Sequence, residues 1–393
     1  MRHSCSWLHA APQQFAAAPH GAPHNPRMPT MPRIHPNDPV NAERQGTERA
    51  QGERALLLRL AAGPTTGETL AEAAGQTRAA IWKRIDALRA AGVEIDARPG
   101  RGYALRHPLE LLDAAAIRAQ LPPTARTRLA DLEIAWSLDS TNNELLRRAP
   151  PATGCLALLA ERQTGGRGRR GRTWASPLAA HLYLSLTRSF GGGVARLGGL
   201  SLVAGIAAAE ALQALDVPGV RLKWPNDLVV EEGAAGRGRK GRLSKLGGLL
   251  VEGGGELGGP ARAVVGLGLN VRMPAAFAAQ IGQPWIDLAT LCGQAPSRNT
   301  LAATVLAQLL PALEAFDRDG LAAFLPRYAA LDALAGRAVT VQQHDGERHG
   351  TALGIAPDGA LRVRMHDGSE CAFHSGEVSV RAVDAVDAVG EEA

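Results

Sequence analysis

The chain has 393 residues, with 43 lysines and arginines against 38 acids and a formal net charge of +5. At roughly 150 residues per domain this length predicts two or three domains, and 45% hydrophobic residues exclude wholesale disorder. No run approaches the roughly 18 uninterrupted apolar residues of a membrane span, so we expect no membrane partner. The four cysteines form no CxxC pair, which predicts no metal site and free thiols in a reducing cytoplasm.

Residues 1–46 differ in composition from the rest of the chain. They hold eight of the 25 prolines and five of the 11 histidines, without an apolar period. Such a composition cannot bury a core, and we expect a disordered Pro/His-rich tail over 1–46. We expect no secretory signal, because the segment lacks an apolar central region.

Residues 48–110 predict three short helices followed by a hairpin. The spacing of Thr65 and Glu68 is typical of a capping box for the second helix, and Thr77 is expected to cap the third. A turn of a few residues joins these two helices, as in a helix-turn-helix. Two short extended runs around PGRG (99–102) then predict a wing.

Residues 78–106 carry seven lysines and arginines against three acids. Cations on a helix and on the adjacent wing suit contacts with DNA phosphates while the helix lies in the major groove. The alternative is a solvated helix face with no partner. We expect a DNA-binding surface that includes Arg78, Lys83, Arg84, Arg98 and Arg101.

A further helix is predicted after Pro108, with a linker or domain edge near 122–130. Residues 125–333 mix short buried-strand runs such as HLYLSLT with amphipathic helices such as NTLAATVLAQLLPALEAF, which predicts an α/β domain. Residues 334–385 alternate strand-like runs with three Asp-Gly turns, which predicts a small antiparallel barrel. Turn chemistry explains these aspartates better than a metal site does.

Two stretches within the α/β region combine polar or cationic side chains with turns. Ser140, Thr141 and Asn142 stand between a strand and a helix, where they can cap the helix and present hydroxyl groups to a ligand. The run QTGGRGRRGRTW (163–174) places arginines among glycines, so that its backbone and guanidinium groups can wrap an anionic ligand. It is not a Walker loop, because GxxxxGK[ST] is absent.

Two further stretches supply lysines and one acid. KWPND puts Lys223 near Asp227, a cation near a possible base. KLGGLLVE begins with Lys245 at the entrance of a buried strand, a costly position unless an anion meets the lysine. This inventory suits attack of a carboxylate on an α-phosphate, which needs cations to offset the repulsion and Mg²⁺ on the phosphates.

GRGRRGR with a following tryptophan, KWPND, KxGGLLVE and GxGxN occur in this order, and together they resemble the biotin–protein ligases. With the preceding winged helix, the chain is similar to the bifunctional members that are also biotin-operon repressors. The resemblance covers residues 48–385 and implies an α+β multidomain protein. Its parts would be an N-terminal winged helix-turn-helix, a central α/β ligase domain similar to class II synthetases, and a C-terminal SH3-like β-barrel.

The resemblance implies that biotin and ATP, with Mg²⁺, give biotinyl-5′-AMP, and that biotin then passes to a lysine of a carboxylase biotin carrier domain. It also implies a homodimer that forms when biotinyl-AMP is bound and then binds operator DNA. Three other interpretations stay open. One is a metabolite-sensing transcription factor with an inactive ligase domain, and another is a lipoate- or octanoate-transferring relative. The third is a monofunctional ligase whose winged helix no longer regulates transcription.

Four residues are implied in catalysis by the same resemblance. Lys245 matches the lysine that holds the ligand carboxylate and later the adenylate phosphate. Lys223 matches the phosphate-side lysine, and Asp227 matches the acid that would orient the incoming acceptor lysine. Arg169 belongs to the loop expected to order over the adenylate, which hydrolyses readily unless water is excluded.

The remaining implied contacts divide into those to biotin and those to the nucleotide. Trp174 is expected beside adenine, and Asn270 as a structural or nucleotide contact rather than a catalyst. The biotin contacts would be Ser140, Thr141, Asn142, Gln163, Arg167, Gly168, Arg169 and Lys245. The ATP and adenylate contacts would be Arg167, Arg169, Arg170, Arg172, Trp174, Lys223, Asn226 and Asn270.

One departure from the family lies between the two lysine motifs. Residues 231–244 are longer than the family's usual short turn and contain a second basic run, GRGRKGR (236–242). We interpret this insertion as a flexible basic loop within a hairpin, and a contact with acidic partners is one role for it.

Overall fold

The computed structural model describes residues 39–98, 100–233, 240–255, 259–344, 346–375 and 379–382. The residues from Glu48 onward form one compact unit. Of the predicted disordered tail, residues 1–38 lie outside the described residues. Residues 39–46 belong to helix α1 (Pro39–Ala61), so the prediction of disorder is wrong for them. Proline suits the first helical position, where its missing N–H would have no partner and its φ is already helical.

Two more helices and a hairpin follow α1, as the sequence predicts. They are α2 (Gly67–Ala74), α3 (Arg78–Ala90), β1 (Ile95–Arg98) and β2 (Gly102–Leu105). The prediction of Thr77 as the α3 cap is confirmed, since its hydroxyl accepts from the Ala80 N–H at 3.2 Å. Thr66, and not the predicted Thr65, caps α2. The backbone of Thr65 instead exchanges two hydrogen bonds with Tyr103 of β2, which fixes the wing against the start of α2.

The helix predicted after Pro108 begins later, as α4 (Ala114–Gln120). Asp113 caps it by accepting a hydrogen bond from the Ala116 N–H. The helix therefore begins at Ala114, and the residues between Pro108 and Asp113 are not helical. They bind elsewhere, because the Leu112 N–H donates to the Glu161 carboxylate at 2.6 Å. A short helix α5 (Pro123–Arg126) then leads into the central sheet.

The central region is a seven-stranded sheet, and helices connect several of its strands along the chain. The sheet order is β3-β4-β5-β9-β8-β7-β6, in which β3 and β4 are parallel and every other neighbouring pair is antiparallel. The elements are β3 (Leu129–Ala135), α6 (Thr141–Arg147), β4 (Cys155–Ala160), β5 (Leu182–Phe190), α7 (Leu200–Gln213), β6 (Val220–Lys223), β7 (Asp227–Glu232), β8 (Arg242–Gly255), β9 (Ala261–Leu269), α8 (Ala275–Ala278), α9 (Leu288–Cys292), α10 (Arg298–Asp319) and α11 (Leu325–Leu331). Three 3₁₀ turns lie at Arg169–Gly171, Val194–Leu197 and Ala322–Phe324.

Helices α7 and α10 cover one face of this sheet. Alternate residues of β9, among them Val265, Leu267 and Leu269, belong to the same buried cluster as the apolar side chains of both helices. Because side-chain direction alternates along a strand, Gly266 and Gly268 lie on the opposite face. Because these glycines have no side chains, they leave space for a cavity on that face, while the other face packs on an apolar layer.

One described segment, Val194–Gln213, is long and apolar enough to cross a membrane. It consists of a 3₁₀ turn and α7. More than half of it is buried inside the protein, and α7 packs on α10 and the sheet. Its apolar character is therefore explained by its place in the core of the central domain.

The described C-terminal strands form a separate five-stranded antiparallel sheet of order β13-β12-β11-β10-β14. They are β10 (Ala338–Gln343), β11 (Gly346–Ile355), β12 (Leu361–Met365), β13 (Glu370–Phe373) and β14 (Ser379–Ala382). Two of the predicted Asp-Gly turns, at Asp358 and Asp367, lie between strands of this sheet, whereas Asp345 of the third lies outside the described residues. The antiparallel sheet agrees with the predicted architecture, and its closure into an SH3-like barrel stays a prediction.

A buried ion pair joins the linker, the sheet and α10. The Arg298 guanidinium donates to the Glu161 carboxylate at 2.8 Å, and both side chains are at most 5% exposed. The same guanidinium donates to the carbonyl oxygens of Glu110 and His181. This one arginine therefore fixes the linker between the winged helix and the central domain.

We predict that Arg298→Met lowers the free energy of unfolding by about 3–5 kcal/mol, because Glu161 would remain buried without its charged partner. The measurement is the urea midpoint followed by circular dichroism. Arg318→Met is the matched control, since Arg318 pairs with Asp319 on the surface and its loss should leave the midpoint unchanged. Equal midpoints for both variants would contradict the role given to the buried pair.

Candidate active site

A cavity of about 1110 Å³ lies on the sheet face opposite α7 and α10. Every residue that the sequence assigned to catalysis, biotin or nucleotide lines it, although these residues come from segments far apart in the chain. They are Ser140, Thr141, Asn142, Gln163, Arg167, Gly168, Arg169, Arg170, Arg172, Trp174, Lys223, Asn226, Asp227, Lys245 and Asn270.

Two glycines of β9 make room for the cavity's side chains. A Cβ on Gly266 would lie 2.2 Å from the Asn142 side-chain oxygen, and a Cβ on Gly268 would lie 2.6 Å from the Trp174 ring. Any larger residue at these positions would push Asn142 or Trp174 out of place. The glycines of the GxGxN motif therefore serve close packing of ligand-facing side chains on the sheet.

The polar turn before α6 forms one end of the cavity. Ser140 caps α6, and Thr141 donates both its backbone N–H and its hydroxyl to the Gln163 side-chain oxygen, at 2.8 and 3.2 Å. The Ser185 hydroxyl lies 2.7 Å from the Thr141 hydroxyl and 2.6 Å from the Asn142 side-chain oxygen. These buried groups form one uncharged hydrogen-bonded network that can both donate to and accept from a polar ligand.

The arginine loop closes over the cavity as a short hairpin. The Gly168 N–H donates to the Arg172 carbonyl and the Trp174 N–H to the Gly166 carbonyl, at 2.7 and 2.9 Å. At its tip Arg170 adopts a left-handed backbone with φ of 57°, a conformation that costs energy for a non-glycine residue. The loop therefore holds a strained turn over the ligand cavity.

Arg169 is half-buried and joins the loop to two other segments. Its guanidinium donates to the Asn226 side-chain oxygen at 3.4 Å and to the backbone carbonyl of Ser375. Burial lowers the pKa of Arg169, and neighbouring arginines lower it further. An anion near this position would offset both effects.

The two predicted lysines meet the predicted acid at the other end of the cavity. Lys223 and Asp227 are partners in the β6–β7 register, and the Lys245 ammonium lies 2.6 Å from the Asp227 carboxylate. Burial lowers the pKa of Lys223 despite the opposing effect of Asp227. In the described part of the chain Asp227 is the one carboxylate that lines the cavity, so this end carries an excess of positive charge.

The two predicted asparagines support the backbone around these lysines. The Asn270 amide donates to the carbonyl oxygens of Lys245 and Ile286 at 3.3 and 3.1 Å, and its side chain is buried. The Asn226 amide donates to the Leu249 carbonyl at 2.7 Å. Both asparagines therefore act as structural clamps in this state, and their predicted nucleotide contacts stay predictions.

Trp174 packs flat against the sheet near the lysines. Its ring centroid is 5.4 Å from the Lys245 ammonium, a cation–π arrangement. Its indole N–H is buried without a hydrogen-bond partner, and a buried donor of this kind usually finds one. The predicted place of Trp174 beside a nucleotide base is compatible with this geometry.

Sequence reasoning missed three residues of this site. Ser185 was hidden within the strand run HLYLSLT, where a serine among large apolar residues was the available signal. Glu252 ends the quoted KLGGLLVE motif and bonds Arg167 and Asn142. Arg381 of β14 also lines the cavity, and no pattern in the sequence relates this C-terminal strand to the lysine motifs.

The predicted DNA-binding residues differ in exposure. Arg78, Lys83, Arg98 and Arg101 are solvent-exposed, whereas Arg84 is half-buried. The Arg84 guanidinium lies against Gly52 of α1, where an added Cβ would approach it to 2.4 Å. The Arg84 side chain is therefore partly occupied in packing against α1.

Trp82 on α3 is a feature that the sequence analysis did not single out. It stands beside Lys83 with 55% of its surface exposed. Trp82 therefore adds an exposed apolar side chain next to the cations of α3.

The described residues hold no group of three or more histidine, cysteine, aspartate or glutamate side chains that could bind a metal ion.

Comparisons with known proteins agree with this architecture. Three family models match consecutive parts of the chain: an HTH domain over 53–104, the biotin/lipoate A/B protein ligase family over 135–270, and the biotin protein ligase C-terminal domain over 335–381. The chain is 40% identical over 319 residues to the bifunctional ligase/repressor BirA of Escherichia coli, covering 81% of this chain and 94% of that protein. The chain belongs to the biotin protein ligase family.

Other members of this family are more distant. BirA of Bacillus subtilis is 27% identical, with coverage of 77% of this chain and 90% of its own length. The biotin–[acetyl-CoA-carboxylase] ligase of Paracoccus denitrificans is 33% identical over 58% of this chain and 91% of its own. The solved biotin protein ligase of Aquifex aeolicus, in complex with biotin and ATP, aligns with a TM-score of 0.53 and 26% identity, covering 65% of this chain and all of that one.

Proposed function

We propose that this protein is a biotin–protein ligase that activates biotin with ATP and transfers it to a lysine of a carboxylase biotin carrier domain. The observation that carries this proposal is the division of one cavity into an uncharged polar end and a cationic end. The ureido ring of biotin is neutral and needs both donors and acceptors, whereas its carboxylate and the ATP phosphates need cations.

The uncharged end takes the biotin ring system. Thr141, Asn142 and Gln163 present amide and hydroxyl groups there, within the hydrogen-bonded network that includes Ser185. Because these groups are held by one another, they are preorganised before the ligand arrives, which reduces the entropy cost of binding. Ser140 contributes by fixing the start of α6.

The cationic end takes the biotin carboxylate and the ATP phosphates. Lys245 and Lys223 bring the two anions together and offset their repulsion, with Arg167, Arg169, Arg170 and Arg172 of the loop closing above. A carboxylate oxygen of biotin attacks the α-phosphorus, the bond to the bridging oxygen breaks, and pyrophosphate leaves. Mg²⁺ bound to the nucleotide would neutralise part of the phosphate charge.

The second step forms an amide bond. The neutral ε-amine of the carrier lysine attacks the acyl carbon of biotinyl-AMP, the mixed anhydride bond breaks, and AMP leaves. Asp227 is released from its 2.6 Å contact with Lys245 when that lysine turns to the adenylate phosphate. The carboxylate can then accept a hydrogen bond from the incoming amine and orient it.

The direct test mixes the purified full-length protein with a biotin carrier domain, MgATP and either biotin or lipoate, and measures the intact mass of the carrier. We expect a biotin-sized increase with biotin and no increase with lipoate. An increase with lipoate would favour the lipoate-transferring alternative. No increase with either would favour a sensor with an inactive ligase domain.

We predict that Lys245→Ala abolishes biotin-dependent ATP–pyrophosphate exchange, because the carboxylate and the α-phosphate lose the cation that joins them. Lys240→Ala is the control, since Lys240 contacts the Ala335 carbonyl outside the cavity and should leave exchange unchanged. Near-normal exchange in Lys245→Ala would overturn the assignment of this lysine.

We predict that Arg169→Gly releases biotinyl-AMP before transfer, because the loop loses its contacts with Asn226 and Ser375. Free biotinyl-AMP acylates exposed lysines, so bystander proteins should become biotinylated. Streptavidin blotting with serum albumin as bystander measures this, and exposed Arg196→Gly is the matched control. Labelling confined to the carrier in both variants would contradict the role of the loop as a lid.

We also propose that the protein is a biotin-dependent repressor located in the cytoplasm, with the five-stranded sheet as an SH3-like barrel. Biotinyl-AMP would favour a homodimer, and the dimer would place two copies of α3 on a two-fold operator. The exposed cations of α3 and the wing support DNA binding. Because a ligand shifts an equilibrium only by its preference for one state, coupling requires that biotinyl-AMP favour the dimer.

We predict that biotinyl-AMP increases the affinity for an operator duplex selected from a random-sequence pool, as measured by fluorescence anisotropy. Sedimentation of the same samples should show dimer formation with the ligand. Equal DNA affinity with and without biotinyl-AMP would leave the ligase function intact and reject the coupling.

A further inference from the structure

Glu252 connects the two segments that surround the uncharged end of the cavity. Its carboxylate accepts from the Asn142 amide at 2.9 Å, and both of its oxygens accept from the Arg167 guanidinium at 2.9 and 3.0 Å. Asn142 belongs to the polar turn before α6, and Arg167 begins the arginine loop. Glu252 is thus a bridge between a helix start and a loop that are otherwise 25 residues apart in the chain.

The position of Glu252 on β8 brings it to this bridge. Pairing of β8 with β9 places Gly248 opposite Gly268 and Leu250 opposite Gly266. Since side-chain direction alternates with period two, Glu252 lies on the same face as these two β8 residues, which both line the cavity. The Glu252 side chain is 25% exposed and the Arg167 side chain 40%, so both charges are partly withdrawn from water and partly screened by it.

The ion pair also determines the charge of this end of the cavity. Arg167 approaches the polar turn through its contacts with Glu252 and with the Asn143 side chain. Because Glu252 pairs with Arg167, this contact adds no net charge beside the turn. The unneutralised cations Lys223 and Arg169 then lie at the other end, where the phosphates bind.

We propose that Glu252 is a positioning residue for biotin, which acts by holding Asn142 and Arg167 in place and by keeping the ring-binding end neutral. This inference rests on the proposed ligase function. It assigns to Glu252 an effect mainly on biotin, because Glu252 contacts Arg167 of the arginine loop, whereas Lys223, Lys245 and Arg169 are left to bind the phosphates. A carboxylate is required, since an amide can accept from Asn142 but cannot neutralise Arg167.

The test compares Glu252→Gln with wild-type full-length protein in biotin transfer to the carrier domain. We expect the KM for biotin to rise about tenfold, the size of a lost charge-assisted hydrogen bond. We expect kcat and the KM for ATP to stay within about twofold, because neither depends on the ring-binding end. Glu252→Asp, which keeps the charge, should restore part of the affinity for biotin.

Glu133→Gln is the matched control, because Glu133 forms a similar ion pair with Arg148 at 2.8 Å on β3, outside the cavity. It should leave both KM values unchanged. Arg167→Gln and the double variant with Glu252→Gln complete a cycle. If Glu252 acts through Arg167, the double variant should be no worse than Arg167→Gln alone.

Three outcomes would overturn the inference. An unchanged KM for biotin in Glu252→Gln would show that the bridge is not used. Equal increases in both KM values with a lower urea midpoint would show a general structural role. Additive effects in the cycle would show that Glu252 does not act through Arg167. A wild-type protein without carrier biotinylation would instead reject the proposed function itself.

Discussion

The alternation of side-chain direction along β9 is the constraint on which both the core and the cavity depend. One set of its residues, including Val265 and Leu267, packs against α7 and α10. The other set, Gly266 and Gly268, leaves space on the opposite face for Asn142 and Trp174. The rigidity of the apolar layer thereby fixes the ligand-facing side chains, because a strand cannot shift by one residue without exchanging the two faces.

The charges of the site follow the same spatial division. The polar turn is surrounded by hydrogen-bonding groups that satisfy one another, with Arg167 neutralised by Glu252. Lys223 and Lys245 share a single lining carboxylate, Asp227. Bringing cations together in a partly buried site costs energy, and the anionic substrates recover that cost on binding.

The winged helix is in direct contact with the segment that follows the arginine loop. The Leu178 N–H donates to the Ala91 carbonyl at the end of α3, at 2.8 Å, and Leu178 and Ala179 belong to the buried core of the winged helix. A Cβ on Gly92 would lie 2.6 Å from Pro177 and 3.0 Å from Phe277, two residues of the central domain. The DNA-binding and ligand-binding parts of the protein therefore share packing rather than a flexible linker.

The sequence by itself determined the order of the structural parts and the identity of most site residues. Local signals were sufficient for this, because caps such as Thr77, Asp-Gly turns and glycine-arginine runs act over a few neighbouring residues. Where a local signal competed with tertiary contacts, the prediction was wrong. Thr65 pairs with the wing instead of capping α2, and the residues after Pro108 bind Glu161 and Asn299 instead of forming a helix.

The tertiary structure alone decided which residues meet. Ser185 and Arg381 line the cavity, and Glu252 bonds the lining residues Asn142 and Arg167, only because β5, β14 and β8 come together there. Strand pairing between distant segments leaves no short-range pattern in a sequence. The same holds for Arg84, a cation like its neighbours in the sequence, which the packing of α3 on α1 turns toward Gly52. Residue type and spacing thus indicated the chemistry of the site, whereas long-range packing determined which side chains lie next to one another.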